Sequence, residues 1–307
     1  MKIAVAGLGK MGMQIARKLA EDGHEVYAQN RHPDKVDTAV GYGAKAAYTK
    51  EDVVKAFAGD RLILWIMIPA EVIDAELDEW LKLAPKGSLF IDGGNSDFRL
   101  DKERSEKVSV AGSSLVDVGT SGGVWGYQNG FCMMAGGAEE DFKIIEPALQ
   151  TLAKPSGAYH YFGPNGAGHF VKMTHNAIEY GMMESLAEGY RMLKEGPYKE
   201  IDLAAAGEVW QHGSVVTSWL NMLTQKALSD NPNLEGITGE VAESGEARWT
   251  LEVAKEMNIP MEAIQTAFDI RIASQKGDVN FTTKLLAAMR NQFGGHDLND
   301  KTTSQGT

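Results

Sequence analysis

A glycine pattern near the start of the chain constrains its fold more than any other feature. Gly7, Gly9 and Gly12 form G-x-G-x-x-G directly after the apolar residues 2–6 and before an amphipathic stretch at about residues 11–21. Glycines in that setting permit a tight strand-to-helix turn and a close approach of the backbone to a pyrophosphate. The pattern therefore predicts a dinucleotide-binding turn made by Gly7, Leu8, Gly9, Lys10, Met11 and Gly12.

The rest of the first half alternates strand-like and helix-like stretches, which is the rhythm of a parallel sheet covered by helices. Strand-like stretches recur at residues 24–29, 61–68, 88–93, 115–118, 131–135 and 159–162. After Pro164 the strand signals nearly vanish, and helical periodicity continues to about Gln292. We therefore predict an α/β Rossmann-type doubly wound sheet in residues 1–163, followed by an all-α C-terminal domain in residues 164–307.

Charge and composition exclude several classes of partner. The formal net charge of -12 argues against binding to nucleic acid or to an anionic membrane surface. The longest apolar run, residues 62–70, is far shorter than the roughly 20 residues that span a bilayer, and no leader segment is recognisable, so we expect a cytoplasmic protein. The single cysteine, Cys132, excludes an internal disulfide, and we expect it to be a small buried hydrophobic residue.

The residues after the second predicted strand bear on the choice of cofactor. An acidic residue about 20 positions past the glycines would bind the ribose hydroxyls of NAD. Asn30 and Arg31 occupy that place. The missing carboxylate removes repulsion from a 2′-phosphate, and a guanidinium can pair with one, so the sequence favours NADP over NAD. Use of both cofactors, with Arg31 stacking on the adenine or lying in solvent, is the alternative.

A polar stripe opens the predicted helical domain. Five residues follow the spacing i, i+3, i+4, i+7 and i+8, which places them on one face of a helix: Lys172, His175, Asn176, Glu179 and Tyr180. Apolar residues elsewhere on this helix indicate that it is widely buried. A base, an imidazole, an amide and an acid on such a helix are typical of an active site, although an exposed face of ordinary surface pairs would give a similar pattern.

Together these motifs resemble the β-hydroxyacid dehydrogenases and, within them, the 6-phosphogluconate dehydrogenases. The resemblance covers nearly the whole chain and is carried by residues 7–12, 91–96, 119–123, 172–180, 248–250, Arg271 and residues 290–296. Relatives that act on small hydroxyacids share the glycine pattern, the Ser-Gly-Gly and the lysine. They generally lack the combination of His175, Glu179 and Tyr180 and the cluster at residues 290–296, so these residues point to the second group.

The resemblance implies roles for individual residues. It places Asn95, Ser121, Gly122 and Gly123 beside the sugar acid, and Asn95 also beside the nicotinamide. It implies catalytic roles for Lys172, His175, Asn176 and Glu179. It assigns the substrate phosphate to Tyr180, Arg271 and Arg290, and less firmly to Arg248, for which a structural surface role is an equal alternative. Independently of the resemblance, a phosphate in a protein of charge -12 requires local cations, and arginine suits it.

The resemblance also implies that the helical domain, residues 164–307, binds the substrate and forms an oligomer. Counterparts of Arg290 and His296 in the family come from a neighbouring subunit, which implies a homodimer or homotetramer whose sites are completed across an interface. Long members carry acidic residues where this chain has Val124 and Trp125, and they contain a second helical repeat for which there is no room here. Both differences are typical of the short form of the family.

The implied reaction is the oxidative decarboxylation of 6-phosphogluconate to ribulose 5-phosphate and CO₂ with reduction of NADP or NAD, as in the pentose phosphate pathway and gluconate utilisation. Lys172 would be the base and Glu179 the acid, and the sequence offers no convincing set of metal ligands. Two alternatives remain at this point. One is a dehydrogenase of an unphosphorylated 3-hydroxyacid such as 3-hydroxyisobutyrate, and the other is a catalytically silent scaffold that keeps the fold.

Overall fold

The strands of the first half form a single sheet in the computed structural model, which describes residues 1–295 and Leu298. They are β1 (Lys2–Ala6), β2 (Glu25–Gln29), β3 (Lys45–Ala47), β4 (Ile63–Ile66), β5 (Leu89–Asp92), β6 (Ser114–Ser121), β7 (Cys132–Gly136) and β8 (Ala158–Gly163). The strand order is β3-β2-β1-β4-β5-β6-β7-β8. The order reverses direction between β1 and β4, which is the switch point where open α/β sheets bind ligands.

Pairing in the sheet is parallel with one exception. β6 and β7 run antiparallel, with Ser121 opposite Cys132. The sequence predicted a parallel sheet, and it missed β3, which has only three residues and lies at the edge of the sheet. Neither feature leaves a signal in hydrophobic periodicity, because a short edge strand has few buried positions and strand direction does not change the alternation.

Helices cover both faces of this sheet. They are α1 (Lys10–Glu21), α2 (Pro33–Gly41), α3 (Lys50–Ala56), α4 (Ile73–Leu83), α5 (Phe98–Val110), α6 (Gly126–Asn129) and α7 (Glu139–Ala153). Alternate residues of β1 belong to different cores: Ile3 and Val5 pack in one apolar cluster, and Ala4 and Ala6 pack in another. The buried strands are apolar on both sides, as a doubly wound sheet requires.

The second half is helical throughout the described residues. Its helices are α8 (Ala167–Glu195), α9 (Leu203–Gln211), α10 (Trp219–Asp230), α11 (Glu246–Glu256), α12 (Glu262–Ser274) and α13 (Phe281–Gly294). The main core joins Met183, Ala187 and Tyr190 of α8 to residues of α10 and α13. A smaller cluster joins Ala177 and Tyr180 to Ala247 and Ala267. The predicted change from α/β to all-α is confirmed.

The chain divides into two compact units, with residues 1–173 in the first and the second beginning at Thr174. This division lies inside α8, ten residues after the end of β8 at Gly163, where the sequence predicts the domain boundary. Among the described residues, no helix combines the length and apolar character that a membrane span requires.

Candidate active site

The glycine turn between β1 and α1 has two packed positions and one open position. Gly7 has φ +91°, and a Cβ added to Gly12 would lie 1.9 Å from the Gly7 carbonyl oxygen. A Cβ added to Gly9 would meet no atom within 4 Å. Gly7 and Gly12 are therefore required by the turn itself, whereas Gly9 leaves room beside the start of α1. A pyrophosphate fits such a place, because the helix start offers backbone N–H groups and a partial positive charge.

Asn30 braces this turn from the end of β2. Its Oδ1 accepts a hydrogen bond from the Leu8 N–H at 3.1 Å. The next residue, Arg31, is exposed. Asn30 thus has a structural role that the sequence did not indicate, and Arg31 lies in solvent at the position from which the sequence predicts contact with a 2′-phosphate.

Asn95 lies on a loop that Asp92 shapes. The Asp92 carboxylate at the end of β5 accepts from the Gly94 N–H at 3.1 Å and from the Ser96 hydroxyl at 2.7 Å. Asp92 and Ser96 are buried, and Asn95 between them is exposed. The loop therefore presents the Asn95 amide to solvent from a fixed base.

Ser121 ends β6, and two glycines follow it. Gly122 has φ +131° and Gly123 has φ +51°, so both adopt backbone conformations that favour glycine. The β6–β7 pairing places Cys132 opposite Ser121. Contrary to expectation, Cys132 is exposed, because it is the first residue of β7 at the rim of the sheet.

Lys172 lies on α8, where the helix passes β6. The residue is 4% exposed. A Cβ added to Gly119 would lie 2.3 Å from the Lys172 Cβ, so this glycine is what lets α8 approach the strand. Although the residue is exposed, partial desolvation raises the pKa of the Cys132 thiol, and the nearby Lys172 opposes that shift. The lysine therefore lies close to the Ser-Gly-Gly turn that the sequence predicts as its partner.

A buried carboxylate anchors the first turn of α8. Asp117, on β6, accepts from the Gly166 N–H at 2.8 Å and from the His169 N–H at 3.0 Å. These N–H groups have no partner within the helix. A negative charge near the N-terminus of a helix also interacts favourably with the helix dipole. Asp117 thus fixes the helix one turn before Lys172.

His169 forms a buried ion pair with Asp101. The distance from His169 Nδ1 to Asp101 Oδ2 is 2.6 Å, and Arg104 Nη1 lies 3.4 Å from Asp101 Oδ1. Burial opposes protonation of His169, but Asp101, Asp92 and Asp117 outweigh it and raise its pKa to about 10. Burial raises the pKa of Asp101 to about 6, with His169 opposing. Both side chains are therefore charged at pH values between about 6 and about 10. Together with Asp92 they form a buried cluster of charged groups.

In the second unit, His175 and Asn176 connect to a buried glutamate. The Asn176 Nδ2 donates to Glu246 Oε1 at 2.8 Å, and the Asn176 Oδ1 lies 2.9 Å from the His175 Nδ1. Glu246 is the first residue of α11 and is 3% exposed. The three side chains form a hydrogen-bonded chain that the sequence did not predict.

Two arginines of the second unit gather near Tyr180. The guanidinium of Arg271 lies 3.3 Å from the centroid of the Tyr180 ring, and Arg271 is 2% exposed. Burial, followed by the charge of Arg271, lowers the pKa of Arg290 to about 10, while Tyr180, Glu179 and Glu246 oppose this. Neither arginine forms a salt bridge with a carboxylate of the described residues. Carboxylates nevertheless act on both cations, Glu179 and Glu246 on Arg290 and Glu184 on Arg271, and the two guanidinium groups are candidates for binding an anion.

Three further predicted residues are Arg248, Glu179 and His296. Arg248 is exposed and pairs with Glu243 at 2.8 Å. Glu179 is partly buried on α8, one residue before Tyr180. His296 lies outside the described residues. Arg290 lies beside Tyr180 and Arg271 of its own chain, and its contribution to a neighbouring subunit stays a prediction, as does that of His296.

Comparison with known families decides the class of the chain. Residues 2–163 match the model of the NAD-binding domain of 6-phosphogluconate dehydrogenase, and residues 168–305 match the model of its C-terminal domain. The chain belongs to the 6-phosphogluconate dehydrogenase family. It is an oxidoreductase of the wider β-hydroxyacid dehydrogenase group, and the first unit is its NAD(P)-binding domain.

Relatives in this family have two lengths. YqeC of Bacillus subtilis, named only provisionally as a 6-phosphogluconate dehydrogenase, is 38% identical over 98% of this chain and 100% of its own. The NAD(+)-dependent, decarboxylating 6-phosphogluconate dehydrogenase of Haloferax volcanii is 33% identical over 97% of this chain and 98% of its own. The decarboxylating enzyme of Shigella flexneri is 31% identical over 96% of this chain but only 66% of its own.

Solved structures show the same fold. The 6-phosphogluconate dehydrogenase of Plasmodium falciparum matches with a TM-score of 0.80 at 23% identity, over 99% of this chain and 67% of that one. The 3-hydroxyisobutyrate dehydrogenase of Mycobacterium tuberculosis matches with a TM-score of 0.71 at 22% identity, over 92% of this chain and 97% of that one. At these identities the likeness concerns the fold alone, which both kinds of dehydrogenase share.

Proposed function

We propose that the chain oxidises and decarboxylates 6-phosphogluconate to ribulose 5-phosphate and CO₂ while reducing NADP or NAD. The observation that carries this proposal is the pair Arg271 and Arg290 near Tyr180. Burying like charges together is unfavourable unless an anion joins them. A phosphate dianion satisfies both guanidinium groups, and the phosphate distinguishes this substrate from small hydroxyacids.

Lys172 is the proposed base for the C3 hydroxyl. Base action requires the neutral amine once substrate and cofactor are bound, and the burial of Lys172 favours loss of its proton in that complex. Its Nζ takes the hydroxyl proton, and a nicotinamide cofactor would supply the acceptor for the hydride that leaves C3. The glycine turn at Gly7, Gly9 and Gly12 and the brace at Asn30 would hold this cofactor, with the open position at Gly9 next to the pyrophosphate.

Loss of CO₂ follows from the new C3 carbonyl, which accepts the electron pair of the breaking bond. Lys172, now protonated, stabilises the oxygen on which negative charge develops. Glu179 lies two helical turns along α8 and donates a proton to the carbon that carried the lost carboxyl group, which becomes C1 of ribulose 5-phosphate. One base and one acid on the same helix thus serve successive steps on one substrate.

The second candidate, a dehydrogenase of an unphosphorylated 3-hydroxyacid, would leave the two arginines without a ligand. The test compares kcat/KM for 6-phosphogluconate, gluconate and 3-hydroxyisobutyrate with either cofactor. We expect 6-phosphogluconate to exceed gluconate by about 100-fold or more, because two charge-assisted phosphate contacts are lost. Equal values for 6-phosphogluconate and gluconate, or a preference for 3-hydroxyisobutyrate, would overturn the proposal.

A further inference from the structure

We propose that Glu246 is a positioning residue that sets the tautomer of His175 through the amide of Asn176. This inference rests on the proposed function only in so far as His175 is taken to contact the substrate. The hydrogen-bonded chain itself lies within the second unit, where Glu246 begins α11 and the other two residues are neighbours on α8.

The direction of the chain follows from what each group can donate. An ionised carboxylate only accepts, so the Asn176 side chain must turn its NH₂ group toward Glu246, as the contact of 2.8 Å requires. The amide oxygen then faces His175 Nδ1 at 2.9 Å, and an amide oxygen also only accepts. His175 must therefore carry a proton on Nδ1. Glu246 thus acts on the His175 ring through the Asn176 amide.

This tautomer has a chemical consequence. Neutral imidazole with a proton on Nδ1 presents a lone pair on Nε2. His175, one helical turn from Lys172, can then accept a hydrogen bond from a sugar hydroxyl other than the one that gives its proton to Lys172. The opposite amide orientation would place a donor on Nε2, and this hydrogen bond would be lost.

A purely structural role for Glu246 makes different predictions. A carboxylate in the first turn of a helix stabilises that helix through its dipole wherever the side chain points. That role would change the melting temperature and would leave the His175 ring unaffected. Glu246 is instead almost fully buried with its Oε1 on the Asn176 amide, which is the contact that a role through His175 requires.

Glutamine and leucine at this position separate the two roles. In Glu246→Gln the side-chain carbonyl can still accept from Asn176, so the tautomer should persist. In Glu246→Leu the acceptor is lost, and this constraint on the orientation of the Asn176 amide is removed. Glu256→Leu, an exposed change at the last residue of the same helix, is the control for the loss of one carboxylate from α11.

The first readout is the ¹⁵N spectrum of the histidine rings in the full protein without substrate, with the His175 signal assigned by His175→Gln. We expect the Nδ1–H form in the wild type and in Glu246→Gln and Glu256→Leu, and a shift toward the Nε2–H form in Glu246→Leu. A wild-type ring in the Nε2–H form, or an unchanged ring in Glu246→Leu, would overturn the inference. Because no turnover is required, this result is independent of the proposed function.

The second readout is kcat with 6-phosphogluconate and NADP in a double-mutant cycle. We expect Glu246→Leu to lower kcat about 10- to 100-fold, the usual range for a misplaced acid–base group. Glu246→Gln should keep most of the wild-type kcat. In an Asn176→Ala background the same leucine change should have little further effect, because the hydrogen bond between residue 176 and Glu246 is already absent. Equal losses in both backgrounds would contradict action through Asn176.

Discussion

The Arg271 guanidinium stacks on the Tyr180 ring at 3.3 Å, and this contact holds one of two neighbouring cations in the helical unit. Stacking on an aromatic face stabilises a partly desolvated guanidinium without neutralising it. Arg271 therefore keeps a charge that lowers the pKa of Arg290. The two arginines supply local positive charge, which is what a site for a dianion requires in a chain with a net charge of -12.

Replacing Arg290 with methionine should separate binding from stability. We expect KM for 6-phosphogluconate to rise about 10- to 100-fold, because a charge-assisted phosphate contact is lost. The lowered pKa of Arg290 means that its charged form opposes folding at pH values below about 10. The melting temperature in phosphate-free buffer should therefore stay equal or rise, while stabilisation by inorganic phosphate disappears.

Arg191→Met is the matched control, because Arg191 pairs with Glu195 on the surface of α8. It should leave both KM and the phosphate-dependent melting shift unchanged. If Arg290→Met kept the full stabilisation by phosphate, Arg290 would not belong to the anion site.

Lys172→Met should abolish turnover while leaving the first unit folded. We expect kcat to fall at least about 1,000-fold, since both proton removal and stabilisation of the enolate are lost. Cofactor affinity, followed by fluorescence titration, should change little because the glycine turn lies elsewhere in the unit. Near-normal turnover would show that Lys172 is not the base.

The single cysteine can report the charge of Lys172. Lys172 opposes the effect of burial on the pKa of the Cys132 thiol, so Lys172→Met should raise that pKa further. Alkylation by iodoacetamide at pH 8 should then be slower by a few-fold, because the thiolate is the reactive form. Lys143→Met, a change in a surface pair with Glu139, serves as the control. An alkylation rate unaffected by Lys172→Met would contradict the contact.

Breaking the buried pair of His169 and Asp101 should destabilise the first unit. We expect His169→Leu to lower the free energy of unfolding at pH 7 by about 3 to 5 kcal/mol, because Asp101 stays buried and loses its closest partner. Adding Asp101→Asn should recover part of the loss. Urea denaturation measures both effects.

The pH dependence gives a second check on this pair. The pKa of His169 is raised to about 10, so its contribution is complete below about pH 6.5 and is lost as the pH rises through 10. The difference in stability between the wild type and His169→Leu should therefore narrow between pH 7 and pH 10.5. A constant difference over this range would mean that the pair contributes no charge-dependent stability.

Cofactor preference should depend on Arg31 and cofactor affinity on Asn30. Arg31→Ala should lower kcat/KM with NADP by about 10- to 100-fold and leave the value with NAD nearly unchanged, because only NADP carries the 2′-phosphate. Asn30→Ala should reduce both values, since it removes the hydrogen bond to the Leu8 N–H. An equal loss of kcat/KM with NADP and with NAD in Arg31→Ala would show that Arg31 does not bind the 2′-phosphate.

The sequence predicted the features that depend on local pattern. Glycines after a strand and a polar stripe at helical spacing leave direct signals, so the Rossmann-type sheet, the all-α second half and the residues from Lys172 to Tyr180 were all placed on the correct elements. The edge strand Lys45–Ala47, the antiparallel β7 and the exposure of Cys132 depend on position in the finished sheet. No local pattern encodes them.

Supporting residues were missed for a related physical reason. Asp117, His169 and Glu246 act through partners distant in the chain, and each resembles an ordinary polar residue when its neighbours in space are unknown. A carboxylate within an otherwise apolar strand, as at Asp117, was the one available signal, because a buried charge requires a specific partner. The same reason applies to Gly119. A glycine is required at this position because α8 passes close to β6, and the sequence does not show that approach.

The most direct test of the central claim measures CO₂ and reduced nicotinamide together, using 6-phosphogluconate with NADP and, separately, with NAD. The account predicts one CO₂ for each nicotinamide reduced, with ribulose 5-phosphate as the product. Reduction without CO₂ would identify a simple hydroxyacid dehydrogenase, and absence of both signals despite cofactor binding would indicate a silent scaffold; either result would contradict the account.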